Sequence, residues 1–427
     1  MATSIAIALA TATITACGGG SSDTQSTSDS ASVVVSEGSG SASEATVSGG
    51  VASTVSPDSA SAPSSTAATD PGLGDVASSA SSGAAAASSP DAGATSDAST
   101  AKDVQTQSAS GSGETPRVAR PAGNTGTGFY VVGAKLYDAN GNEFRIRGVN
   151  RTHWDSWGSP TGIPLSGANA ERVHFAFTNP ASDLKVVTSQ MLPNKIVPIP
   201  GNWGGTCKAD AASLASVVDT WVAQAATWTT LNSNGLINIA NEWGPANSAV
   251  WRDGYITAIA RMRAAGYTGT LVVDSGGCGQ DALDIVNYGA AVLASDPQKN
   301  ILFDVHVYGN FAMPATTSWQ QDFTTSMAKL KATGLPIFLG EFGPGANIGP
   351  SPTTITPMQV VNTAEANGWG WMPWSWDDNN LSGCGGDDKW FSMTKRCGNY
   401  ATSADLTTFG LTVVPILQSR AVKATIF

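Results

Sequence analysis

The chain has 427 residues, a net charge of −11 and only 13% charged residues, a length that admits two or three domains. Its acidic balance excludes electrostatic binding of nucleic acid, whose phosphates it would repel. Thirteen Trp against seven Tyr is a heavy tryptophan load, and flat indole faces suit sugar rings as well as cores.

Met1 to Ala16 is a short run of apolar and small residues ending Ile14-Thr15-Ala16-Cys17. It is too short to span a bilayer and has the form of a signal h-region that ends in small residues. The tetrapeptide resembles a bacterial lipobox. Cys17 is therefore the expected lipidation site of an exported protein held at an outer membrane or cell surface, touching the membrane only through its lipid. No Lys or Arg precedes Lys102, so the usual basic n-region is missing; the alternative is an ordinary cleaved signal with an incidental Cys. Residues 18–124 are almost all Ser, Ala, Gly, Thr, Val, Asp and Pro, with no aromatic before Phe129. Such a stretch cannot bury enough apolar surface to offset chain entropy, which predicts a disordered linker spanning about 55 Å root-mean-square. One folded domain is expected, from residue 125 to 427.

That domain opens with Phe129 to Val132 and Lys135 to Tyr137 around a turn, a predicted β-hairpin. Short apolar, β-branched runs follow at Phe144–Asn150, Arg172–Phe177, Lys195–Ile199, Leu236–Ala240, Thr270–Asp274, Ile301–Val307, Pro336–Leu339 and Gly370–Trp374. Apolar runs without alternation suit parallel strands buried on both faces. Helical periodicity fills the gaps at Ala212–Leu231, Trp251–Met262, Ala282–Ala294, Trp319–Leu330 and Met358–Ala366. The helix after the third strand is expected to be the longest, and the one after the first strand is weak. Eight strands alternating with helices predict an α/β fold, a (β/α)8 TIM barrel. The runner-up, an open doubly wound sheet, lacks a Gly-rich nucleotide loop after its first strand. Ala401 to Phe427 is expected to close the barrel with a last helix and an apolar tail.

Cys207, Cys278, Cys384 and Cys397 make an even set in an exported protein, so two disulfides are expected. Four cysteines allow three pairings. The short Gly-rich spacing favours Cys384–Cys397, leaving Cys207–Cys278. A zinc site is disfavoured by the absence of a Cys-x-x-Cys pair. The Asp377-Asp378 and Asp387-Asp388 pairs read as a solvated loop rather than a calcium loop, and no metal or cofactor is expected.

Catalytic groups of such a barrel lie at the carboxyl ends of its strands. Strand four ends Asn241-Glu242-Trp243-Gly244 and strand seven ends Gly340-Glu341-Phe342-Gly343, on opposite sides of the ring. Glycoside hydrolysis needs two carboxyls flanking the bond, one protonated to donate to the leaving oxygen and one ionised. A lone Glu at a strand end is commonly structural. Two of them among strand-end Asn, His, Tyr and Trp point to catalysis.

These motifs together resemble glycoside hydrolase family 5, the cellulase and β-mannanase family, over Gly148 to about Asp378. They are Asn241-Glu242, Gly340 to Gly343, His306-Val307-Tyr308, Asn150 to His153, Arg172 after Gly167 to Glu171, and Trp374. The resemblance implies a retaining enzyme with Glu242 as acid/base and Glu341 as nucleophile, their carboxyls about 5 Å apart. It implies that Asn241 holds the sugar 2-hydroxyl, that Arg172 and Tyr308 flank Glu341, that His306 tunes Glu242, and that Trp374 stacks on the sugar. His153 would bind a hydroxyl. Two departures stand out: Trp243 replaces the usual Pro after Asn-Glu, and Trp203 stands near where a His often ends strand three. Both are expected to add aromatic platforms. The stretch from Leu236 to Trp376 is most similar to bacterial β-mannanases, which implies an endo-acting monomer on a polysaccharide of β-1,4-linked mannan or glucomannan. Endo-β-1,4-glucanase is the near alternative, a transglycosylase another, and a non-catalytic surface glycan binder the reading from a different class.

Overall fold

The computed structural model describes residues 117–153, 162–345, 354–377, 391–395 and 398–427. Cys17, Cys384, Cys397, Asp378, Asp387 and Asp388 lie outside the described residues, as does nearly all of the expected linker. The described chain begins at Arg117, eight residues before the expected domain boundary. The Val118 N–H donates to the Gly141 carbonyl, and the Arg120 guanidinium lies 4.2 Å over the Tyr130 ring.

The expected hairpin is present, with Tyr130–Val132 antiparallel to Lys135–Tyr137. The barrel strands are β1 Val149–His153, β2 Ala170–Phe175, β3 Val197–Asn202 and β4 Ile237–Asn238, then β5 Leu271–Asp274, β6 Ile301–Val307, β7 Ile337–Phe342 and β8 Gly370–Trp371. All pair in parallel, in sequence order from β1 to β8. The ring closes where Arg147 bridges Trp371 and where Asn150 N–H donates to the Pro373 carbonyl and Trp376 N–H to the Asn150 carbonyl. Pairing of first strand with last makes this a barrel and rules out the open sheet.

Around the ring run α1 Pro180–Val186, α2 Ala211–Ala223, α3 Ala225–Trp228 and α4 Ala249–Ala264, then α5 Ala282–Ser295, α6 Phe323–Ala332, α7 Pro357–Asn367 and α8 Thr408–Arg420. Side chains of Asn179, Asp210, Ser248, Asp281, Asp322, Thr356 and Thr407 cap their first turns, each satisfying an orphan N–H. The expected single helix over 212–231 breaks at Gln224, which leaves helical geometry while its side chain donates to the Phe177 carbonyl and accepts from the Trp228 indole. The longest helix is therefore α4, with 16 residues, rather than the one after β3.

The barrel interior is layered. At the amino-terminal end Ala170, Val197, Leu236, Val272, Leu302 and Phe338 pack with Phe129, Val131 and Leu136 of the hairpin segment, so the hairpin plugs that end. Ala424 joins this cluster from the carboxy-terminal tail. Further along most of the strands the interior turns polar: Asn150, Arg172, His174, Asn238, Asp274, Asp304, His306 and Glu341 are all buried. Apolar residues such as Val173, Phe175, Phe303 and Val305 face outward to the helices. A strand places alternate residues on opposite faces, so Arg172 and His174 share the inner face, as do Asp304 and His306.

At the seam of the ring Arg147 grips Glu365 of α7 with two bonds of 2.6 and 2.8 Å, and the Trp371 indole donates to the same carboxylate at 3.0 Å. Burial alone would raise the Glu365 pKa, but the Arg147 and Trp371 hydrogen bonds dominate and lower it to about 2. A carboxylate whose folded pKa is depressed adds stability above its unfolded pKa, and loses it as pH falls through the folded one. Glu365→Gln is expected to destabilise the domain by about 1 kcal/mol at pH 7, allowing for solvent screening. That difference should shrink between pH 4.5 and 2, and denaturant unfolding of both proteins across that range checks it.

Candidate active site

Arg172 rises from the inner face of β2 into the centre of the polar layer. Its Nη1 donates to Glu341 Oε1 at 2.5 Å and Asn150 Oδ1 at 3.3 Å. Its Nη2 donates to Asn241 Oδ1 at 2.7 Å, Asn238 Oδ1 at 3.1 Å and Asp274 Oδ2 at 3.1 Å. The guanidinium is fully buried, and although burial opposes its charge, Asp274 and Glu341 raise its pKa.

Glu341 sits where β7 is irregular. The β6–β7 register shifts between Phe338 and Glu341, and such a bulge re-aims a side chain. It lets Phe338 reach the lower interior while both Gly340 and Glu341 meet the centre. Position 340 admits only glycine: a Cβ there would lie 1.9 Å from Asp304 Oδ2. The Tyr308 hydroxyl donates to Glu341 Oε2 at 2.9 Å, so both Glu341 oxygens accept strong donors. Burial, then the Glu341 charge, push the Tyr308 phenol well above its ordinary pKa, so it stays a donor.

Glu242 is held differently. Its backbone is left-handed, φ 52°, and its N–H donates to Asp274 Oδ2 at 3.0 Å. Oε1 lies 2.9 Å from His306 Nδ1, and Oε2 is 3.6 Å from Cys207 Sγ. Burial raises its pKa and the nearby Glu341 charge adds to this, while His306 opposes. Glu242, His306 and Glu341 each offer an atom within 4.8 Å of the others. This spacing matches the pair of carboxyls of a retaining glycosidase, about 5–5.5 Å apart, rather than the wider inverting pair. The same trio, and Asp274, Asp304 and His306, have the ligand types and closeness of a metal site. Arg172 already supplies a cation to each set.

One wall beside Glu341 is aromatic. The Trp203 ring, 37% exposed, lies 5.7 Å from Trp374 at 32° and 5.0 Å from His174, which is 5.6 Å from Trp374. The arrangement offers two indole faces beside paired carboxyls of unlike environment, which is the equipment for cutting a glycosidic bond.

Residues 181–380 match the model of the cellulase family, glycosyl hydrolase family 5. A mannan endo-1,4-beta-mannosidase of Salipaludibacillus agaradhaerens is 32% identical over 263 residues, covering 59% of this chain and 82% of that protein. One of Streptomyces lividans is 32% identical over 267 residues, 59% of this chain and 67% of that one. The solved beta-mannanase of Thermomonospora fusca superposes with a TM-score of 0.59 at 30% identity, over 70% of this chain and 99% of that one. The chain belongs to glycosyl hydrolase family 5.

As a family 5 glycoside hydrolase the chain brings together most of the residues its sequence singled out: Glu242, Glu341, Asn241, Arg172, His306, Tyr308, Trp374 and Trp203. Two expectations are corrected. Trp243 is no platform: it is completely buried, its indole donates to Asp210 O and Ser213 Oγ, and it packs edge-on to Tyr255 between α2 and α4. The left-handed turn at Glu242 sends the two neighbouring side chains to opposite sides. His153 lies against Phe175 and 3.4 Å from Arg151, with the outward-facing residues of β1 and β2, rather than beside the glutamates. Asp377 is likewise buried, at 4% exposure, not on a solvated loop.

The family 5 site also holds groups that the sequence reading missed. His174 is 4.0 Å from Glu341 Oε1, and burial, then Arg172 and His306, lower its pKa well below the ordinary value. Its spacing of two from Arg172 was the available signal. Asn238 donates to Asp274 Oδ1 at 2.5 Å, and Thr206 accepts from Asn241 Nδ2 at 2.9 Å.

The expected Cys207–Cys278 disulfide is formed, joining the loops after β3 and β5 with the Cα atoms 4.4 Å apart. It closes a loop of 71 residues, which by chain entropy stabilises the fold by about 4 kcal/mol. It also lies against Glu242. Replacing both cysteines with serine is expected to lower the urea midpoint and kcat together, measured against the oxidised wild type.

Proposed function

We propose that this family 5 hydrolase is an exported endo-β-1,4-mannanase acting by retaining double displacement, with Glu242 as general acid/base and Glu341 as nucleophile. The observation that carries it is the contrast between the two close carboxyls. Arg172 and Tyr308 donate to the two oxygens of Glu341 and aim it for attack. Burial and the nearby Glu341 charge favour a proton at Glu242. In the first step Glu341 bonds to the anomeric carbon as the glycosidic bond breaks, and the leaving oxygen takes the Glu242 proton. In the second, Glu242 takes a proton from water, which displaces Glu341 and releases the sugar with its configuration retained.

Asn241 has its Oδ1 committed to Arg172 and its amide aligned by Thr206, which prepares an N–H for the 2-hydroxyl at the cleavage point. Trp374 and Trp203 stack on the sugars. Mannan is favoured by the relatives: the proteins of S. agaradhaerens and S. lividans are named as mannan endo-1,4-beta-mannosidases, and one structure of the T. fusca beta-mannanase is a mannohexaose complex.

Purified protein is expected to release reducing sugar from mannan and glucomannan, with mannan preferred over carboxymethyl-cellulose. Glu341→Gln should lower kcat by about 10³-fold or more. Glu242→Gln should do so on polysaccharide, with recovery by added azide only on an aryl mannoside whose leaving group needs no protonation. Activity only on glucans would overturn the sugar, and glycan binding without turnover would overturn the enzyme. The protein works as a monomer tethered by a lipid on Cys17, the lipobox being the support for this. A Cys17→Ala variant that stays membrane-bound in cells would rule the tether out.

A further inference from the structure

Beneath His306 lies a second buried carboxylate that the mechanism above leaves unused. Asp304, two residues earlier on β6, points into the same interior. Its Oδ1 accepts the Gly340 N–H at 2.6 Å. Its Oδ2 faces His306 Nε2 at 3.4 Å, and among the described residues neither of these two buried atoms has another hydrogen-bond partner. Among the described residues the other carboxylate oxygen near that nitrogen is Asp274 Oδ2, farther away at 3.7 Å and already receiving the Glu242 N–H and Arg172 Nη2. On the other side of the ring, Nδ1 is 2.9 Å from Glu242 Oε1 and 3.5 Å from Glu341 Oε2.

From this geometry we propose that Asp304 is a positioning residue that holds the Nε2 proton of His306, so that Nδ1 and Glu242 share the one mobile proton delivered to the leaving group. The inference rests on the acid/base role of Glu242 and goes beyond it. A histidine's two nitrogens are distinct, and the bond one makes sets what the other can do. With Nε2–H turned to Asp304, Nδ1 is free to accept from a protonated Glu242 or to carry its proton, and the pair titrates as a unit. When the glycosidic bond breaks, its electron pair goes to the leaving oxygen, which takes that proton. The pair recovers one from the attacking water in the second step. Charges facing His306 come from each neighbouring strand: Glu242 after β4, Asp274 on β5, Glu341 on β7, Arg172 and His174 on β2, with Tyr308 following on from β6. Of the carboxylates among the described residues, only Asp304 meets Nε2 with a free oxygen. The device depends on Gly340, since any side chain there would collide with Asp304.

Asp304→Asn reverses the proton order. The amide oxygen keeps the Gly340 N–H, and the amide NH2 faces Nε2, which must then accept. Nδ1 would carry a fixed proton and favour ionised Glu242. The basic limb of the kcat/KM profile on mannan is expected to move down by about one pH unit, with the acid limb unmoved. An aryl β-mannobioside with a dinitrophenolate leaving group needs no protonation, so its loss should be at least tenfold smaller than that on mannan. An unmoved basic limb, or equal losses on both substrates, would overturn the proposal. The wild type gives a second test that does not depend on the variant folding. The chain has three histidines, so 15N-histidine labelling yields three imidazoles, with His306 assigned by its absence from His306→Gln. A proton on Nε2 of His306 is expected, and a bare Nε2 opposed by a fixed Nδ1 proton would overturn it. Wild-type activity of Glu242→Gln on mannan would instead sink the acid/base reading itself.

Discussion

A single buried cation organises the upper half of this barrel. Arg172 donates to side chains from β1, β4, β5 and β7 and from the Asn241 position beyond β4. A guanidinium without water must be surrounded by acceptors of matched charge, and removing one partner of such a set typically costs about 3–5 kcal/mol. The carboxylates it requires are also those the chemistry requires. Asp274 holds the backbone of Glu242, Glu341 receives the charge directly, and Asn241 is oriented from the same nitrogen. Stability of the polar layer and alignment of the reacting groups are thus one constraint.

From that arrangement the two glutamates acquire unlike roles without differing in chemistry. Glu341 faces an arginine and a phenol, both donors. Glu242 faces an imidazole, a disulfide and the edge of the opening. Two carboxyls this close disfavour each other's ionised form, and Arg172 donates to only one of them. The fixed positions of both depend on local backbone irregularities: a left-handed residue at Glu242, and a register shift before Glu341. Regular strands would have turned one of these side chains outward.

The lower half of the barrel supplies rigidity. The hairpin segment and the tail seal an apolar layer under the polar one, while Arg147, Glu365 and Trp371 lock the seam where the ring closes. At the mouth, the Cys207–Cys278 bond ties the loops after β3 and β5 against the acid/base. The site is therefore braced both above and below the plane of the carboxylates.

The sequence by itself determined the barrel and the two glutamates, because apolar runs and strand-end motifs are local signals, while its even set of four cysteines favoured Cys207–Cys278 without fixing it. The family's motifs pointed to Arg172, Tyr308, His306 and Trp374, and Trp203 stood out as a departure from them. Only the tertiary structure decided which side of the wall each strand-end residue faces. Trp243 and His153 carry the right chemistry in the right stretch, yet turn outward, because direction at a strand end depends on one backbone angle that no local pattern encodes. Asp274, Asp304 and His174 read as ordinary strand residues, and became parts of the site because parity and closure of the ring turn them inward around a charge that must be buried with company.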